Sequence, residues 1–180
     1  MNNGESSYRR YLEGDDNAFE DVVRLYLDSL VFFIERYVHD IHAAEDIAME
    51  AFAYLIIHPK RYNFKTSLKT YLFMIGRSRA INYVKRRNKI QFTSLTGIES
   101  EDFSSLEEAV IADEARRSLS RAIEELPDDM KAAVHLVYFE GQSYEEASRV
   151  LKKTKKQIAN LLSRAKVLLK EKLGERGKLI

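Results

Sequence analysis

From Glu140 to Leu173 the chain reads EGQSYEEASRVLKKTKKQIANLLSRAKVLLKEKL, and the reading of this stretch decides the fold class. Glu140-Gly141 predicts the end of one helix, because glycine adopts the left-handed conformation at little cost. Ser143-Tyr144-Glu145-Glu146 has the form of a capping box, in which serine and the glutamate three residues on satisfy each other's orphan amides. Thr154-Lys155-Lys156-Gln157 repeats that arrangement and opens a longer helix. A short helix at Tyr144–Leu151, a tight turn and a longer helix at Lys155–Leu173 make a helix-turn-helix. Ala147, Val150 and Leu151 are expected to pack on Ile158, Leu161, Leu162 and Ala165. The outer face then shows Lys155, Lys156, Asn160, Ser163 and Arg164, which suits a DNA major groove. A plain helical hairpin with a basic face is the competing reading, and two caps at this spacing weigh against it.

Upstream, periodicity of 3.6 residues continues. A helix follows Asp16 and Asn17, either of which can cap it, through AFEDVVRLYLDSLVFFIERYV, with Phe19, Val22, Val23, Tyr26, Leu30, Phe33, Ile34 and Tyr37 on one face. A second helix, from about Ala43 to Ile57, carries Ile47, Ala51, Phe52, Leu55 and Ile56 and is ended by Pro59. A third begins at Ser67 or Lys69, reaches Arg87, and turns Leu68, Tyr71, Leu72, Ile75, Ala80, Ile81 and Val84 inward. Ile90 to Ser105 reads as a linker. Further helices are expected near Leu106–Leu126 and Asp128–Phe139. The expected fold is all-α: two small helical domains, 1–89 and 113–180, joined by an acidic flexible linker, 90–112.

Net charge is only +1, but its distribution is uneven. Residues 1–59 carry 12 acids and 4 bases, residues 60–98 carry 10 bases and no acid, and residues 99–114 carry 7 acids and no base. Residues 149–180 return to 11 bases against 2 acids. Two basic blocks, each beside an acidic one, suggest two surfaces for a polyanion. Solvated basic helix faces are the plainer alternative, and 39 residues without an acid argue against it. Within the first block, Tyr62, Phe64, Tyr71, Phe73 and Tyr83 lie among Arg61, Lys65, Lys69, Arg77, Arg79 and Lys85-Arg86-Arg87. Unstacked bases need aromatic platforms and cations along the phosphates. Of these aromatics, Phe73 and Tyr71 read as core.

The 180 residues, 45% hydrophobic and 32% charged, support a buried core. With no cysteine, disulfide scaffolds, thiol nucleophiles and cysteine-based metal sites are excluded. Two prolines and seven glycines are too few for a turn-rich β protein. The N-terminus lacks the apolar core of a signal peptide and no run approaches a membrane span, so a cytoplasmic protein without membrane insertion is expected. Asp46 and Glu50, four apart on one helix face, could serve acid/base chemistry, but no nucleophile accompanies them. A docking surface for a basic partner fits better. His39 and His42, near Asp40 and Glu45, lack a third metal ligand at a usual spacing. His58 and His135 read as surface or core residues. No enzyme activity and no cofactor or metal are expected.

At this point the sequence resembles the extracytoplasmic-function (ECF) sigma factors of the sigma-70 family, which give bacterial RNA polymerase its promoter specificity. The resemblance covers about 15–88 and 115–173. Region 2 is carried by Ala18-Phe19 with Tyr26, by Ala44-Glu45-Asp46-Ile47 and Glu50-Ala51-Phe52, and by Tyr71-Leu72-Phe73-Met74-Ile75-Gly76-Arg77. Region 4 is carried by Leu126-Pro127, Glu140 to Glu146 and Ser163-Arg164-Ala165-Lys166. The resemblance implies partners: core RNA polymerase, through the clamp helices of its largest subunit and the flap of the second-largest, promoter DNA, and an anti-sigma factor. It places polymerase binding on Glu45, Asp46, Met49 and Glu50. Reading and melting of the −10 element would fall to Asn63, Phe64, Lys65, Thr66, Ser67, Lys69, Tyr71, Arg77, Ser78, Asn82, Lys85 and Arg86. The −35 element would fall to Lys153, Thr154, Lys155, Lys156, Gln157, Asn160, Ser163, Arg164 and Lys166. The acidic linker would thread the RNA-path channel of the polymerase. Met49, Tyr71 and Ser78 stand where the family commonly has Gln, Trp and Asn, and Lys152 occupies the usual turn glycine. Ala159-Asn160-Leu161 replaces Lys-Ser-Arg. A stand-alone helix-turn-helix regulator, or a helical anti-sigma or RNA-binding adaptor, remains as an alternative; neither needs the strand-melting block of the N-terminal half.

Overall fold

The computed structural model describes the backbone of residues 4–93 and 112–174, and side chains within 4–89 and 116–174. Among the described residues eight α-helices run in the order α1 Glu5–Leu12, α2 Ala18–Val38, α3 Ile41–Ile57, α4 Leu68–Thr93, α5 Ala112–Glu124, α6 Asp128–Val134, α7 Tyr144–Leu151 and α8 Lys155–Leu173. A 3-10 turn, Pro59–Arg61, precedes α4, and a π-helical turn, His135–Phe139, follows α6. No strand occurs among the described residues.

α2 has the expected bounds and buries Phe19, Val22, Tyr26, Leu30, Phe33 and Ile34. Neither expected cap acts as one: Asn17 itself has helical dihedrals and its side chain holds no cap bond. α3 begins earlier than expected because Asp40 accepts from the Ala43 amide. Ile56, expected on the apolar stripe, is exposed; a 17-residue helix with neighbours on one side buries only Ile47, Ala51, Phe52 and Leu55 of that set. α4 runs six residues beyond the expected Arg87, so 90–93 are helix rather than linker. Ala112, expected as the last linker residue, begins α5, and the rest of the expected linker falls on residues 94–111, outside the described ones, as does the start of the helix expected from Leu106.

α2, α3 and α4 form a three-helix core, in which α4 approaches α2 closely at Gly76. A Cβ there would stand 2.9 Å from Leu30 Cδ1 and 3.0 Å from Ile34 Cδ1. The helix-turn-helix of α7 and α8 carries both expected capping boxes, Ser143/Glu146 and Thr154/Gln157. Lys152 sits at φ 54°, so the turn does demand a left-handed residue.

Two features lay beyond the sequence reading. α1 precedes the first expected helix. It was missed because only Ser7 and Tyr8 of its eight residues are buried, too few for a periodic signal. The two halves also pack against each other, and their buried residues form one cluster. His135, 1% exposed, lies against the rings of Phe32, Phe33 and Phe73 of the first half.

Candidate nucleic-acid interface

Glu45, Asp46, Met49 and Glu50, the expected polymerase face, all lie exposed along α3. Residues four apart on a helix stand one above the other, which puts Asp46 and Glu50 on one stripe. Glu50 is engaged within the chain: Arg79 Nη1 of α4 lies 2.5 Å from its Oε2. Asp46, Glu50, Arg79, Asn82, Lys85 and Arg86 thereby line one open cleft, acidic on the α3 wall and basic on the α4 wall.

The loop before α4 is built from local hydrogen bonds. Asn63 Oδ1 accepts from the Lys65 amide at 3.1 Å, and the Tyr62 hydroxyl donates to Thr66 O at 2.8 Å. Phe64 stands at φ 60°, a conformation costing a side chain about 1–2 kcal/mol. Thr66 Oγ1 is buried without a partner. Ser67 Oγ accepts from the Thr70 amide at the start of α4. Tyr71 is half-buried, its ring 5.1 Å from that of Tyr62. Along α4, Ser78, Asn82 and Lys85 share an exposed stripe and Arg86 adjoins it. Arg77, expected with them, is one residue round the helix, half-buried with its guanidinium over the Tyr37 ring of α2.

The N-terminus of α4 also meets the second half. Glu146 Oε1 accepts from Ser67 Oγ at 2.9 Å and Thr70 Oγ1 at 3.2 Å, while Oε2 serves its own capping box. Lys69 Nζ lies 2.7 Å from Glu140 Oε2 and donates to Glu140 O at 2.8 Å. Burial alone would raise the Glu140 carboxyl; the His135 ring and the Lys69 ammonium overcome that and hold it at about 2. His135 is pushed below its ordinary value by burial, helped by Arg36 and Lys69 and opposed by Glu140. Glu124 joins Arg36 of α2 at 3.3 Å to Lys131 of α6 at 3.0 Å. Thr70, Glu140, Glu146, His135 and Arg36 were not singled out from the sequence as partners here.

On α8 the expected −35 face is open. Lys155, Lys156, Asn160, Ser163, Arg164 and Lys166 are exposed, whereas Ile158, Leu162 and Ala165 are buried. Thr154 and Gln157, also expected here, have their side chains committed to the cap. Lys155 pairs with Glu145 at 2.7 Å and the half-buried Lys153 with Asp129 at 2.8 Å. Behind this face, Ile123, Val134, Phe139, Leu162, Leu169 and Leu173 line an apolar groove rimmed by Lys166 and Lys170. His42 pairs with Glu45 at 3.5 Å, and no cluster of metal-ligating side chains occurs among the described residues. None of the described helices is long and apolar enough to cross a membrane.

Known proteins share this organisation. The Sigma-70 region 2 family matches residues 22–90, and the Sigma-70, region 4 family matches residues 116–169. The RNA polymerase sigma-H factor of Pseudomonas aeruginosa is 30% identical over 152 residues, 79% of each chain. The ECF RNA polymerase sigma factor SigM of Bacillus subtilis is 27% identical over 85% of this chain and 93% of its own. Of solved structures, the sigma factor RpoE from Bartonella quintana, crystallised with the anti-sigma factor NepR, has a TM-score of 0.70 at 23% identity, over 87% of this chain and 97% of that one. CnrH, solved with the cytosolic domain of CnrY, has a TM-score of 0.66 at 17% identity over 96% and 97%. Both share the fold.

Proposed function

The chain belongs to the sigma-70 family, among its ECF members, and from that premise we propose how its surfaces share the work of directing core RNA polymerase to promoters. It is a transcription initiation factor. The acidic face of α3 meets the clamp helices of the largest polymerase subunit, where complementary charge sets register and encounter rate. The loop at residues 63–67 receives an unstacked −10 base; Ser78, Asn82, Lys85 and Arg86 follow the separated strand. The outer face of α8 reads the −35 element, with Lys156, Asn160 and Ser163 toward bases and Lys153, Lys155, Arg164 and Lys166 toward phosphates. The apolar groove behind α8 takes the polymerase flap. The acidic stretch 99–114 lies in the RNA-path channel. The chain makes no bond itself; catalysis belongs to the polymerase, and the place of action is the cytoplasm. An anti-sigma factor is a further partner, as for the structural relatives.

The observation that carries this reading is the doubly capped helix-turn-helix with its basic outer face exposed. Run-off transcription with purified core polymerase on genomic fragments tests it. Discrete transcripts that require the chain are expected, and equal transcription without it would overturn the reading.

A further inference from the structure

Helix α1 precedes both segments that the family matches cover, yet Glu5, Tyr8 and Arg9 reach the loop at residues 63–67 or the residues that flank it. Tyr8 anchors the helix: fully buried, it donates its hydroxyl to Leu55 O at 3.0 Å and packs beside the rings of Tyr11, Phe19, Tyr62 and Phe64. Gly4, at φ 67°, starts the helix where no Cβ fits, since the Tyr26 ring would stand 2.5 Å from one. Glu5 and Arg9 are four residues apart and thus share one face of α1. Glu5 Oε1 accepts from the Leu68 amide at 3.3 Å and, at 3.1 Å, shares with Thr66 O the single proton of the Tyr62 hydroxyl, so one carboxylate touches both ends of the loop. A carboxylate at the first amide of α4 is also favoured by the helix dipole. The Arg9 guanidinium covers the Phe64 ring at 3.9 Å, over the residue with the left-handed backbone.

We propose that Glu5 and Arg9 are positioning residues for −10 recognition: α1 braces the loop in the shape that receives the promoter base. This rests on the loop being the −10 reader. Without Glu5 the ends of the loop lose their shared acceptor; without Arg9 the strained Phe64 loses its cover. Both losses raise the disorder the loop must give up when it closes on a base, and strand opening and base preference suffer together. Docking on polymerase and −35 contact, carried by α3 and α8, do not.

The test uses reconstituted holoenzyme on a randomised −10 library, with permanganate reactivity of thymines as the measure of opening. Glu5→Ala, Arg9→Ala and Arg9→Lys are compared with the loop variants Asn63→Ala and Phe64→Ala. Arg9→Ala is expected to lower opening about two- to five-fold, the factor an exposed cation–π contact supports. Glu5→Ala, which removes the acceptor that glutamine would keep, is expected to lower it about ten-fold, the factor for a hydrogen bond to a charged group. Both should broaden the preferred −10 sequence while core binding and −35 preference hold. Arg9→Lys, which keeps the charge without the planar stack, should fall between. If the loop variants shift the preference and the α1 variants only lower Tm, α1 is a passive support and the proposal fails while the loop reading stands. If neither set shifts it, the loop reading fails and takes the proposal with it.

Discussion

Lys152 holds a turn position that favours glycine, at φ 54°. Lys152→Gly should remove a left-handed penalty of about 1 kcal/mol and raise Tm by about 2–4 °C. A lower Tm in a thermal melt would mean that glycine's freedom in the unfolded chain outweighs the strain. On α8, Asn160 is exposed and its amide can pair bidentately with adenine, worth about 1–3 kcal/mol of discrimination. Asn160→Ala should relax preference at one or two −35 base pairs in a randomised library. Lys155→Ala should weaken all sites alike and lower the salt slope by about one. The structure adds that Lys155 must leave Glu145 to reach a phosphate. Neutralising Glu145 in a Glu145→Gln variant should therefore strengthen binding without altering preference. Both capping serine and threonine were legible from the sequence because a cap acts over three residues.

Among the elements, α4 shows two effects in opposition at Gly76. Alanine gains about 1 kcal/mol in helix propensity, yet its Cβ would meet Leu30 and Ile34 of α2 at 2.9–3.0 Å. Overpacking costs about 1–3 kcal/mol, so packing should win and Gly76→Ala should destabilise the chain in urea titration. An unchanged midpoint would show that the two leucine and isoleucine methyls rotate away freely. α1 marks the lower limit of what periodicity reveals. Its buried anchor, Tyr8, finds Leu55 and Tyr62 some fifty residues away, and nothing in ESSYRRYL signals those partners. α2 was legible over its full length because seven or more apolar residues repeat on one face.

Across the whole molecule, the contact between the halves covers part of the surface proposed for the −10 strand. Ser67, Lys69 and Thr70 spend their donors on Glu146 and Glu140. Removing the partner of a largely buried carboxylate costs about 3 kcal/mol or more, less where the ammonium keeps some solvent, as Lys69 does. Lys69→Met should therefore loosen the halves, read as a larger radius of gyration in solution scattering. An unchanged radius would place the adhesion in the aromatic contacts of His135 instead. That histidine faces Arg36 of α2, Lys69 of α4 and Glu140 of its own turn. Its lowered pKa means the unfolded chain takes up the proton first, so its share of stability is full above about 6.5 and declines as the pH falls below that. Glu140, held at about 2, contributes fully above 4.5 and is lost only toward 2. Melts between pH 7 and 5 should thus show a loss that His135→Phe abolishes. A slope surviving in that variant would assign the loss elsewhere.

The sequence by itself determined the helices after α1 in outline, the two capping boxes of the helix-turn-helix, the left-handed turn at Lys152 and the two basic blocks, because each depends on residues within about four positions or on composition. It also carried the resemblance that the family matches support. Tertiary structure alone decided which polar groups meet. Glu5 reaches Tyr62 and Leu68, Arg9 covers Phe64, Arg79 takes Glu50, and Glu146 joins Ser67 and Thr70. Sequence separations of 29 to 79 residues stand between all of these partners, and a charged or hydroxylic side chain carries no periodic mark of its partner. Their pairing follows from how the apolar faces of the helices stack, and only the folded chain brings those faces together.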